Sequence, residues 1–104
     1  MTIETSSVGT SNTTVYTSTG NNAITLITLC NYSIGNETVS VHIVPSGDGV
    51  GDDNIMLKDL PITSGDTYVI YQGGEKILLE DGDLVNVIAS GASAITAITS
   101  YVAI

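Results

Sequence analysis

No stretch of this 104-residue chain keeps a helical period with caps; short runs of Val, Ile, Leu, Thr and Tyr are instead cut by clusters of Gly, Asn, Asp, Ser and Pro. Such runs are too short to cover one helix face. They suit strands, whose side chains point to alternate sides at every residue. The turn clusters recur at roughly 8–12-residue intervals, the spacing of an all-β sandwich or barrel. We therefore expect an all-β fold: a single β-sandwich over residues 1–104, jelly-roll-like or Ig-like, of about eight short, mainly antiparallel strands.

The runs can be placed one by one. Residues 13–17 form an expected strand, and Ser18-Thr19-Gly20-Asn21-Asn22 turns the chain. Residues 23–31 are the strongest run, with Ile24, Leu26, Thr28 and Cys30 on one side and Thr25, Ile27, Leu29 and Asn31 on the other. Both sides carry apolar residues, so this strand should be central and covered on both faces. Ser33-Ile34-Gly35-Asn36 then turns into residues 37–44, where Val39, Val41 and Ile43 alternate with Thr38, Ser40 and His42. That turn suggests a hairpin with the central strand.

Pro45 stops the next run, and residues 46–54 form a Gly- and Asp-rich loop. Further strands are expected at residues 54–60, ended by Pro61, and at 67–71, 76–80, 84–89 and 94–103. Gln72-Gly73-Gly74 follows the strand at 67–71, and Asp81-Gly82-Asp83 reads as a tight turn, because Asp-Gly suits positive φ. The closing strand divides its apolar residues between both faces and should lie inside a sheet. Residues 1–10, rich in Thr and Ser, form either a free arm or an edge strand.

Composition excludes several functions. The net charge is -9, and Lys58 and Lys76 are the two basic residues. Nucleic-acid binding needs Lys and Arg to neutralise phosphates, and an anionic membrane repels such a chain. We expect no nucleic acid and no membrane among its partners. Apolar runs fall far short of the ~20 residues of a membrane span, and no basic segment precedes an apolar one as in a secretion signal. Phe and Trp are absent, so Ile, Val, Leu and five Tyr must fill the core. Cys30 is the single cysteine and reads as a small buried hydrophobe.

Chemistry is thinly marked. His42, the one histidine, sits on the polar side of its run and reads as a surface or interface residue. No nucleophile and orienting acid accompany it at a recognisable spacing, and we expect no enzyme and no cofactor. The acidic loop offers Asp48, Asp52 and Asp53 as candidate ligands for a hard cation, which wants several oxygens. It departs from the EF-hand pattern, since Val50 takes the third ligand position and no glycine stands at the sixth. We read Asp48, Asp52, Asp53 and Asn54 as an interaction loop rather than a metal site. Asn12, Asn31 and Asn36 begin Asn-x-Ser/Thr tripeptides, which this composition produces readily.

Several stretches form an ordered set: Thr13-Thr14-Val15-Tyr16-Thr17, Leu29-Cys30-Asn31, Val41-His42-Ile43-Val44-Pro45, Ser64-Gly65-Asp66-Thr67-Tyr68, Leu78-Leu79-Glu80-Asp81-Gly82-Asp83 and the closing Thr99-Ser100-Tyr101-Val102-Ala103-Ile104. Their order resembles small virion structural proteins of tailed bacteriophages, including cyanophages, over nearly the whole chain. The resemblance implies location in the virion and carries no catalytic residues. It implies a homo-oligomer bound to other virion proteins. A capsid cement or decoration subunit on the major capsid protein is the leading expectation. A neck, tail or fibre-base module, with a glycan contact through residues 46–54, is the alternative.

Overall fold

The computed structural model describes residues 2–70 and 77–104, and it is a β-sandwich. Nine strands are seen among the described residues: β1 (Thr2–Val8), β2 (Thr13–Thr17), β3 (Asn22–Asn31), β4 (Glu37–Val44), β5 (Ile55–Ile62), β6 (Thr67–Ile70), β7 (Ile77–Leu79), β8 (Leu84–Ala89) and β9 (Ile95–Ala103). A short 3-10 turn, Asp52–Asn54, precedes β5. Residues 2–8 are an edge strand, not an arm. The expected strand ends at Tyr71 and Lys76, and Gln72-Gly73-Gly74 between them, lie outside the described residues.

The strands pair as if the chain were one long antiparallel hairpin. Glu37 faces Ile62, Cys30 faces Thr67, Asn22 faces Leu79, Thr17 faces Leu84, Val8 faces Ile95 and Thr2 faces Tyr101. This ribbon is then rolled up, so that β3 also meets β9 and β4 also meets β8. Two sheets result, in the orders β1-β9-β3-β6 and β2-β8-β4-β5, with β7 following β6 along β3. The nine strands thus fill eight sheet positions. Nested pairing with this order is the jelly roll, one of the two sandwiches that the turn spacing allowed.

Three local expectations are corrected. Residues 32–36 do not close a hairpin between β3 and β4, because β4 pairs with β5 and β8 in the opposite sheet. Asp81-Gly82-Asp83 likewise joins β7 in one sheet to β8 in the other. Gly82 does have positive φ, 89°, so the turn chemistry holds and the pairing does not. Finally, Pro61 lies within β5, which runs on to Ile62. A proline lacks the ladder amide, and β5 is an edge strand, where the loss is tolerated. Register shifts bend β5 against β4 on either side of Val41, and Asp59 takes φ 49° there while its amide donates to Ser40 Oγ at 3.0 Å.

The core follows from the alternation. Ile27 and Leu29 of β3, Val41 of β4, Val85 and Val87 of β8, and Ile95 of β9 are all buried between the sheets. Each such side chain contributes about 1.5–3 kcal/mol relative to exposure. The opposite side of the β1-β9-β3-β6 sheet is only partly covered: Ala23 is buried there, while Ile3, Val69 and Leu78 are exposed. β9 is internal, as expected, but Ile98 and Ile104 are exposed and Cys30 is half-buried. Both-face coverage of β3 and β9 is therefore an overestimate.

Two polar groups interrupt this core. The Tyr16 ring packs on Tyr101 with centroids 4.6 Å apart. Burial, then the Tyr101 phenol and the Glu4 carboxylate, push the Tyr16 phenol above its ordinary value of 10.0, against a hydrogen bond with Ser18. Thr99 is fully buried and its Oγ1 has no hydrogen-bond partner among the described residues.

Unfolded Tyr16 ionises before folded Tyr16 as pH rises, so the folded state binds the extra proton. The associated stability is complete below about pH 10 and is lost as pH rises through the higher folded value. Urea unfolding at a series of alkaline pH values should show a shallower decline for Tyr16→Phe than for the parent; equal slopes would refute the assignment. Thr99→Val removes an unpaired buried hydroxyl at nearly constant shape, and should raise stability by about 1 kcal/mol. A loss of that size in thermal melting would show that Oγ1 is in fact satisfied.

Candidate interaction site

The two ends of the sandwich differ in chemistry. At one end the loops after β2, β4 and β7 are knitted together by Asp81 and Asp83. Asp81 Oδ1 accepts the Gly20 amide at 2.8 Å. Asp83 accepts the Ser46 amide at 2.8 Å on Oδ1 and the Glu80 amide at 2.9 Å on Oδ2. The Ser18 and Gly82 amides complete the knot, donating to Asp83 O and Ser18 O. A Cβ on Gly82 would stand 2.5 Å from Ser46 Oγ, so the loops meet this closely only through glycine.

The predicted interaction loop lies at this end. Asn54 folds it on itself: its Oδ1 accepts the Gly51 amide at 3.2 Å and its Nδ2 donates to Gly49 O at 2.9 Å. Asp48, Asp52 and Asp53 are exposed around it. Among the described residues, no three His, Cys, Asp or Glu side chains come together as a cation site would require. The result is an acidic, solvated surface rather than a cage.

The other end carries the feature that sequence reasoning missed. Residues 32–36 cross between the sheets, and the crossing is fixed by Asn31, which is completely buried. Its Nδ2 donates to Gly35 O and Ile62 O, both at 2.9 Å. Its Oδ1 accepts from the Ser33 amide at 3.0 Å and from Ser33 Oγ at 2.7 Å. Ser64 Oγ donates to Ser33 O at 2.5 Å, and the Tyr32 amide donates to Ala94 O at 2.9 Å. On this pinned backbone Tyr32 is 52% exposed and Ile34 103% exposed. The signal was an isoleucine in the middle of a turn cluster, where burial is not on offer. Asn31 also leaves no amide free for a sugar, which disposes of one of the three tripeptides.

His42 is not on the surface. It is 6% exposed and stands opposite Asn86 of β8, itself buried. His42 Nδ1 and Asn86 Oδ1 have no hydrogen-bond partner among the described residues. The 3-10 turn packs against β4 and helps to close this side of the second sheet. Comparison with protein families, curated proteins and solved structures finds no match to this chain. What the geometry defines is a jelly-roll module with an acidic, hydrogen-bonded end and an opposite end that exposes Tyr32 and Ile34 from a hydrogen-bonded turn.

The acidic knot can be tested by two glycines. Gly82→Ala meets both positive φ and the Ser46 side chain, whereas Gly20→Ala, at φ 72°, meets open space. Gly20→Ala should cost about 1–2 kcal/mol from backbone strain alone. Gly82→Ala should cost measurably more in urea unfolding; equal losses would mean that the close approach of the loops has no energetic weight.

Proposed function

We propose that this protein is a structural subunit of a tailed-bacteriophage virion, a capsid decoration or cement subunit bound to neighbouring major capsid proteins. The observation that carries this reading is the pinned apolar tip. Tyr32 and Ile34 expose their side chains from a turn whose backbone is already held by hydrogen bonds, so a partner would find them pre-positioned. Rigid apolar anchors of this kind dominate protein interfaces, because little entropy is lost on docking. Jelly rolls recur in viral capsid and lectin domains and in cupins, so the architecture agrees with the reading without selecting it. The charge of -9 would draw the subunit towards basic patches on a particle over longer range. The Tyr32 and Ile34 side chains would make the close contact.

Particles stripped of this protein should regain heat resistance when it is added back. Ile34→Asp, at a position with no packing to lose, should keep the fold and weaken particle binding by at least roughly tenfold. Unchanged heat resistance at full occupancy would rule out the cement role. Normal binding by Ile34→Asp would rule out the tip. A few copies at one vertex, rather than many over the shell, would favour the neck, tail or fibre-base reading.

A further inference from the structure

The outward side of the β1-β9-β3-β6 sheet, only partly covered among the described residues, is the second unusual surface. Strand alternation and register place Ile3, Leu26, Val69, Leu78, Ile98 and Val102 on it. Four of these, Ile3, Val69, Leu78 and Ile98, are among the exposed large hydrophobic residues of the protein. The positions between them are Thr, Ser, Ala and Cys30. Among the described residues, no outward position of this sheet is charged. The acids among the described residues lie elsewhere: in the loops and the 3-10 turn, at Glu37 of β4, at Asp59 of β5, and at Glu4, which shares the inward side of β1 with Val8.

We propose that this face is where two copies of the chain meet, sheet against sheet. Charge decides the occupant. Two copies at -9 repel each other over most of their surfaces, and this face is the broad region where they can approach without opposing carboxylates. A basic partner would find no carboxylate among the described residues of this face to pair with, and its buried cations would remain uncompensated there. The matching surface must therefore be uncharged, flat and rich in Thr and aliphatic residues, as the same face of a second copy is. Sheets pack in this way about 10 Å apart. Four strand positions at ~4.8 Å and seven residues at ~3.3 Å give a flat footprint of roughly 400 Å² per copy, at the weak end for specific complexes. A weak, reversible dimer follows. The proposal deepens the assembly reading above by naming the surface between copies. Its test uses the isolated protein, so its failure leaves the particle-binding experiment standing.

Sedimentation velocity over a concentration series should show a monomer–dimer equilibrium. Ile98→Lys reduces the net negative charge and Ile98→Asp increases it. Through this face both should weaken the dimer by at least about tenfold, since each buries an unpaired charge; Val69→Lys and Val69→Asp repeat the test at an edge position. An interface elsewhere would respond to the two signs in opposite directions or not at all, and either result overturns the proposal. Cys30 gives a readout without mutation: its labelling by a maleimide should slow as the dimer forms. Constant labelling across a proven dimerisation, or a protein still monomeric at ~1 mM, would equally overturn it.

Discussion

The pairing of β3 with β9 is what turns one long hairpin into a closed domain. Without it the chain would be a flat ribbon with every apolar side chain open to water on one face. With it, and with the matching pair β4 and β8, the ribbon curls into two sheets whose inner faces meet. The Val, Ile and Leu alternation is then used once for the core and not wasted on solvent. Every loop is forced to one of two ends, which separates the acidic knot from the apolar tip. The surface chemistry is thus a consequence of topology as much as of composition.

Much of this was legible in the sequence. Period-two alternation and turn spacing gave β2, β4 and β8 to the residue, and β3 and β9 to within one. Those signals are local, because each side chain reports its own side of the strand. Which strand pairs with which is not local. Residues 32–36 and 81–83 look like hairpin turns, and only the burial of Asn31 and the contacts of Asp83 show that they cross between sheets. Pro61 looks like a stop until β5 is known to be an edge. His42 looks polar-faced until residues 46–54 and the 3-10 turn are seen to shelter that side.

The candidate site was half legible for the same reason. Asp48, Asp52 and Asp53 stand where a Gly-Asp loop must put them, exposed and acidic. Tyr32 and Ile34 were passed over because apolar residues in a turn are ordinarily packing residues of a neighbouring strand. Their exposure depends on Asn31 satisfying four hydrogen bonds underneath them, a tertiary fact. Edges show a similar economy: β5 is bent twice and carries Lys58, Asp59 and Pro61, devices that discourage stray strand pairing.

The nested pairing also sets an order of events during synthesis. β4 can pair with β5, and β3 with β6, as soon as those segments are made. β1 pairs with β9, at the far end of the set of strands, so it must wait for β9 before it is held in its sheet. Long-range strand pairing is slow, with folding on the millisecond-to-second scale typical of such topologies. Until that pairing forms, the charge of -9 makes neighbouring chains repel one another, which opposes stray contacts between their open strand edges.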